Sequence, residues 1–161
     1  MPEETETGDI GERMNVVEPG KSLSDSWNAF QDNLGMYDLW VLGPNGYHRH
    51  FKGDTHRIGD RRATPEIRVC YDIANDEVYV DLLNSGSQAC GFTITPVAYR
   101  QDGPWTAKVE PDAKLSMNWA LQASGCWYDF EVTCDSDPAF YRRFAGRMET
   151  GKHTLSDPAL G

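Results

Sequence analysis

Apolar and polar residues alternate with period two in two well-separated stretches of the chain. In residues 127–133, Tyr128, Phe130 and Val132 alternate with Asp129, Glu131 and Thr133. Such alternation predicts a strand with one buried face and one wet face. Residues 134–139 supply Asp, Ser and Pro for a turn, and Phe140 to Gly146 reads as the returning strand. Earlier, Tyr37, Leu39 and Val41 alternate with Asp38, Trp40 and Leu42. Gly43-Pro44-Asn45-Gly46 follows as a turn, and Tyr47 to Gly53 as the return. Each stretch predicts a β-hairpin.

The hairpins are copies of one another. Val17-Glu18-Pro19 corresponds to Val109-Glu110-Pro111, Leu23-Ser24 to Leu115-Ser116, and Trp27 to Trp119. Tyr37-Asp38 corresponds to Tyr128-Asp129, Val41 to Val132, Arg49 to Arg142, Phe51 to Phe144 and Gly53 to Gly146. The offset is 92, then 91, then 93, so twelve identities keep one order across a one-residue deletion and a two-residue insertion. This is an internal repeat of domain size.

Taken in order, residues 1–15 are acidic and aperiodic and read as disordered. Residues 16–18 and 23–27 read as two short strands before the first hairpin, and residues 55–64 as a polar linker. The second copy opens with three strands that have no counterpart upstream: residues 67–71, a strand marked by Val78, Val80 and Leu82, and residues 91–100. Pro96 in the third suggests an edge or a bulge. Residues 105–110, residues 114–121 and the second hairpin complete seven strands. That spacing predicts an all-β fold, an antiparallel immunoglobulin-like β-sandwich. A complete seven-strand module (65–149) thus follows a four-strand half-module (16–54), and residues 150–161 form a loose extension. The uncovered apolar side of the half-module predicts packing on the second module or self-association.

Composition supports this reading: 5 Trp, 7 Tyr, 15 Gly and 9 Pro in 161 residues suit strands and turns. A formal charge of −10 argues against a nucleic-acid partner, which needs a basic surface, and against attraction to anionic lipid. No apolar run is long enough for a transmembrane segment. The acidic N-terminus lacks the features of a signal peptide, so the chain as written is expected in the cytoplasm. Cys70, Cys90, Cys126 and Cys134 read as buried free thiols on strands. A Cys70–Cys90 or Cys126–Cys134 disulfide is the alternative in an oxidising compartment.

The segment Asp38-Leu39-Trp40-Val41-Leu42-Gly43-Pro44-Asn45-Gly46-Tyr47-His48-Arg49-His50-Phe51-Lys52-Gly53-Asp54 resembles a signature of the C-terminal region of bacterial phosphocholine-preferring phospholipase C. So do Trp127-Tyr128-Asp129-Phe130, Arg142-Arg143-Phe144-Ala145-Gly146-Arg147-Met148-Glu149-Thr150-Gly151 and Ser156-Asp157-Pro158-Ala159. The resemblance runs from Val16 to Gly161. It implies tandem β-sandwich modules that follow a phosphoesterase domain. It implies a C-terminal fragment or a truncated gene product, with no catalytic residue to carry over. It also implies a parent enzyme exported to the periplasm or beyond the cell.

Candidate chemistry is sparse. His48, His50, Asp54, His56 and Asp60 are the densest group of potential metal ligands, and a polar outer hairpin face is the plainer reading. Asp38 and Asp129 recur and predict structural pairs with Arg49 and Arg142 on neighbouring strands rather than acid–base catalysis. Trp40, Trp105 and Trp127 fall at outward or turn-proximal positions, which suit stacking on a ligand or packing between modules. No Gly-x-Ser-x-Gly elbow, P-loop or dinucleotide fingerprint is present, so no catalytic, cofactor or metal residue is assigned. Three readings follow. The chain is a non-catalytic accessory module of a phospholipase C, with the catalytic domain or a lipid surface as its partner. Alternatively it is an independent carbohydrate- or protein-binding module. The third is a small metal-dependent hydrolase built on the His48 region.

Overall fold

A computed structural model describes residues 16–57, 61–152 and 156–159. Nine strands carry the fold: β1 (Met36–Leu42), β2 (His48–Asp54), β3 (Pro65–Asp72), β4 (Glu77–Asn84), β5 (Cys90–Ala98), β6 (Trp105–Val109), β7 (Ala113–Ala120), β8 (Trp127–Cys134) and β9 (Asp137–Arg147). All strand pairs are antiparallel. A three-stranded sheet in the order β3-β4-β7 faces a six-stranded sheet in the order β1-β2-β9-β8-β5-β6. The β-sandwich expected from the sequence is therefore present, with all seven strands of the second copy.

The alternation that predicted the strands also builds the core. Val78, Val80 and Leu82 on β4 are fully buried, and so are Phe92 and Ile94 on β5 and Val132 on β8. Trp119 of β7 packs on Phe130 of β8 with ring centroids 5.1 Å apart, which joins the two sheets. Asn84 is a buried polar side chain in this interior. Asn84 accepts hydrogen bonds from the Thr64 and Gly86 amides and donates to the Gln88 carbonyl, so its buried amide group is satisfied. Pro96 marks a bulge, not an edge: β5 pairs with β8 across it, with a register shift between Pro96 and Ala98. Its pairing with β6 ends at Ile94, so the amide that proline lacks is not needed on that side.

The first copy departs from expectation in its leading strands. Residues 16–28 contain no strand, and a four-residue helix, α1 (Ala29–Asp32), follows them. The reason lies in pairing. Their counterparts are the end of β6 and β7, which pair only with β5 and β4. Among the described residues the first copy has no equivalent of β4 or β5, so its extended segments have no ladder to join. Its hairpin does form. Asn45 and Gly46 both take positive φ, at 55° and 67°, as the tight turn between twisted strands requires.

That hairpin does not stand apart as a half-module. It joins the second copy edge to edge, through β2 and β9. The loose C-terminal extension expected over 150–161 is tied at one described point, where the Tyr99 hydroxyl donates to Asp157 at 2.8 Å. The disordered stretch expected over 1–15 lies outside the described residues. All four cysteines are free, and neither Cys70–Cys90 nor Cys126–Cys134 is bridged. Cys70 is exposed on β3, while Cys90 is buried next to Cys134. Burial first, then that neighbour, pushes the Cys90 thiol up to about 12.

Two outcomes are expected. Amide exchange should be slow through β2, which is paired on both sides, and fast through residues 16–28, which are paired on neither. Tyr128→Ala, at a residue only 2% exposed, should cost about 3–5 kcal/mol in urea unfolding. A domain of this size holds about 5–15 kcal/mol in all, so an unchanged melting temperature would contradict its place in the core.

Candidate functional site

The join between the copies is a small symmetric system. The β2–β9 register places His48 opposite Ala145, Arg49 opposite Phe144, His50 opposite Arg143, Phe51 opposite Arg142 and Lys52 opposite Tyr141. Under the repeat, Arg49 is equivalent to Arg142 and Phe51 to Phe144. Each Arg therefore faces the other copy's Phe, and a local two-fold axis passes through the His50–Arg143 pair. Such a self-complementary contact is the kind two identical subunits make in a dimer.

On the inner side of the sheet, the arginines make reciprocal bonds. Arg142 donates to the Lys52 carbonyl at 2.7 Å and to the Tyr37 hydroxyl at 2.8 Å. Arg49 donates to the equivalent Ala145 carbonyl at 2.9 Å and to the equivalent Tyr128 hydroxyl at 3.2 Å. Each also caps the carbonyl of the residue before it, His48 or Tyr141. The opposing sheet completes both clusters through β3. Glu66 takes two bonds from Arg142, at 2.8 and 2.9 Å, and the Tyr71 hydroxyl accepts from Arg49 at 2.8 Å. Burial opposes the Arg142 charge, but the Glu66 hydrogen bonds and charge outweigh it, and the guanidinium is held above its ordinary range. The recurring glycines belong to the same design. Tyr37 pairs across from Gly53, its ring where a side chain there would stand, and Tyr128 pairs across from Gly146, its hydroxyl 3.2 Å from where a Cβ there would sit.

The expected partners of the recurring aspartates were therefore wrong by one residue. Asp129 bonds Arg143, not Arg142, at 2.9 and 2.8 Å. Asp38 bonds His50 at 2.5 Å and Lys52 at 3.4 Å, not Arg49. Successive strand residues point to opposite faces, so Arg49 and Arg142 look inward while both aspartates look outward. The pairs remain equivalent under the repeat, since His50 occupies the place of Arg143. Burial works against the Asp38 carboxylate, but the His50 hydrogen bond and the His50 and Lys52 charges hold its pKa below the ordinary value.

Outside, Trp40 lies between His48 and His50, with ring centroids 4.8 and 3.9 Å away. It is 57% exposed, the only one of the three singled-out tryptophans on the surface. Trp127 is buried, and its ring rests against Gly46 in the first hairpin turn. Trp105 is half-buried against Trp119 and Phe130. The three form no row. The outward position read for Trp127 gives way to packing between the copies, because its strand closes on the turn of the other hairpin.

Nor does the histidine group assemble. His56 Nε2 faces the Leu34 carbonyl at 2.9 Å, Asp54 accepts from the His56 amide, and Asp60 lies outside the described residues. His50, 7% exposed, is covered by Trp40 and Tyr141, while its partner Asp38 is exposed. Among the described residues no three His, Cys, Asp or Glu side chains converge as metal ligands. The reciprocal arginines were the feature sequence reasoning missed. Their recurrence was visible, but the register between the copies was not.

Arg142→Ala should cost about 2–4 kcal/mol, because it removes a buried side chain and leaves the Lys52 and Tyr141 carbonyls and the Tyr37 hydroxyl without their donor. Arg142→Lys should recover little of this, since one ammonium cannot replace a planar fork. Urea unfolding measures both. The His48 imidazole is held below 6.5, first by burial and then by the Arg143 charge. Below pH 6.5 the unfolded chain therefore binds more protons at this site than the native one. This contribution is complete above pH 6.5 and declines as pH falls. His48→Gln should flatten the decline of the urea midpoint over that window.

Comparison with known proteins agrees with the geometry. The family profile for the bacterial phospholipase C, C-terminal domain, matches residues 3–54 and 65–147. Non-hemolytic phospholipase C of Burkholderia pseudomallei is 38% identical over 145 residues, covering 90% of this chain and 20% of the relative. The non-hemolytic and hemolytic phospholipases C of Pseudomonas aeruginosa are 38% and 39% identical over 143 and 145 residues, again covering 20% of each relative. The chain thus spans about a fifth of the length of these curated relatives. With the profile falling on both copies of the repeat, the chain belongs to the bacterial phospholipase C C-terminal domain family.

Proposed function

We propose that this chain is a non-catalytic accessory module of a phospholipase C, and that it supports the catalytic domain or its contacts with lipid and protein partners. The observation that carries this reading is where the recurring polar residues are used. Arg142 and Arg49 are engaged in bonds that hold the two copies together, Arg142 with the Lys52 carbonyl and Tyr37, Arg49 with the Ala145 carbonyl and Tyr128. Asp129 and Asp38 are engaged within their own hairpins, by Arg143 and by His50. A catalytic pair needs groups that face a cleft and a nucleophile or water within reach. The recurring residues here face each other. Exposed Trp40, beside the polar outer face of β1, β2, β8 and β9, is the natural point for docking on a partner. The net charge of −10 disfavours docking on an anionic lipid surface. On this reading the module travels with its parent enzyme, to the periplasm or outside the cell where that enzyme is exported. No described helix is long and apolar enough to cross a membrane.

The purified chain is expected not to hydrolyse phosphatidylcholine or p-nitrophenyl phosphorylcholine, with or without added divalent metal. Turnover that copurifies with the protein and disappears in His48→Ala would overturn the accessory reading in favour of a hydrolase. A positive partner test is pull-down by the catalytic region of a related phospholipase C, weakened by Trp40→Ala without a change in melting temperature.

A further inference from the structure

We propose that the free edge of β1 is a docking site for one extended, uncharged strand of β5 chemistry from outside the described residues. The internal repeat shows what this edge fits. In the second copy, the strand equivalent to β1 is β8, and its far edge is covered by β5 over Phe92–Ala98. Tyr128, Phe130 and Val132 of β8 are then 2%, 1% and 0% exposed. Their counterparts on β1 are less covered: Tyr37 and Leu39 are half-buried, and Val41 is 44% exposed. Met36, Trp40 and Leu42 on the other face are 54%, 57% and 74% exposed. Among the described residues β1 pairs with β2 alone. The same residue pattern that is buried beside a neighbouring strand in one copy is thus open in the other.

The edge also lacks the usual protections. Exposed edges are commonly blunted by Lys, Pro or a bulge. Met36–Leu42 holds none of these, and its one charge, Asp38, is already paired with His50 and Lys52. By contrast, β6 at the other end of the sheet carries Lys108 and follows Pro104. In the smaller sheet β3 begins with Pro65 and β7 carries Lys114. β5 itself, Cys-Gly-Phe-Thr-Ile-Thr-Pro-Val-Ala, has no charge. The occupant is accordingly an uncharged segment with alternating apolar residues, bound by main-chain hydrogen bonds and by pockets for every second side chain.

The repeat also sets the register. Ile94 lies opposite Val132 and Thr93 opposite Thr133, so with the offset of 91 the incoming Ile should face Val41 and the preceding Thr should face Leu42, in antiparallel sense. The accessory role is not needed for this inference. It rests on the sheet alone.

The test titrates the full chain, labelled for nuclear magnetic resonance, with the synthetic peptide Gly-Phe-Thr-Ile-Thr-Pro-Val-Ala. Exchange of the β1 amides that face the open edge should slow at least tenfold at saturation, and a scrambled peptide should leave them unchanged. A nitroxide on the peptide's N-terminus should broaden Leu42 and spare Met36. Val41→Lys, which places a charge on the docking face, should abolish the effect. If that variant fails to fold, the nitroxide pattern on the unaltered chain decides. Unchanged exchange at millimolar peptide, or the reverse nitroxide pattern, would overturn the proposal. So would concentration-dependent self-association that protects β1 and resists the peptide, since that result assigns the edge to a second copy of this chain.

Discussion

The structure depends on two arginines, Arg142 buried and Arg49 half-buried, that each serve the other copy of the repeat. A guanidinium in a protein interior is tolerable only when nearly all its donors are used. Arg49 and Arg142 meet that demand with the same set of acceptors: the preceding carbonyl, a carbonyl across the β2–β9 join, and the tyrosine of the other hairpin. The two hairpins are therefore not two beads on a string. Removing either would leave the other's arginine with unpaired donors facing the opposite sheet. Glu66 and Tyr71 extend the same dependence to β3, so the join between copies is also part of the contact between sheets.

Symmetry explains why the repeat keeps the residues it does. Tyr, Asp, Arg, Phe and Gly recur at the hairpin because each has a role on one side of the pseudo-dyad that its counterpart repeats on the other. The tyrosine lies across the facing glycine and bonds the other copy's arginine. The aspartate holds a side chain two residues off the direct pair, on the outer face, His50 in one copy and Arg143 in the other. The departures are informative too. Arg142 has a carboxylate partner where Arg49 has only tyrosine hydroxyls, and the complete sandwich lies on the side of Arg142.

The recurring polar residues are used in internal bonds. The polar residues that a motif search finds most readily are those the fold uses to close on itself. What is left open is main chain, along β1, and one exposed indole beside it.

Much of this was legible in the chain itself. Period-two alternation located every strand from β3 to β9, because a half-buried strand needs one apolar face and a soluble one needs one polar face. The repeat was legible for the same reason, and so was the family resemblance it carries. Tertiary structure decided the rest. Residues 23–27 carry the pattern of β7, yet a strand exists only where another strand accepts its hydrogen bonds, and pattern alone cannot supply that neighbour. Asp129 chose Arg143 over Arg142 because strand parity, invisible in a list of recurring residues, put them on one face. Trp127 turned inward because the other hairpin's Asn45-Gly46 turn lies over it. Sequence by itself determined which residues could be buried and at what spacing. Only the pairing of β2 with β9 determined which partners they met, since that register is set between segments almost a hundred residues apart, at an offset of 93.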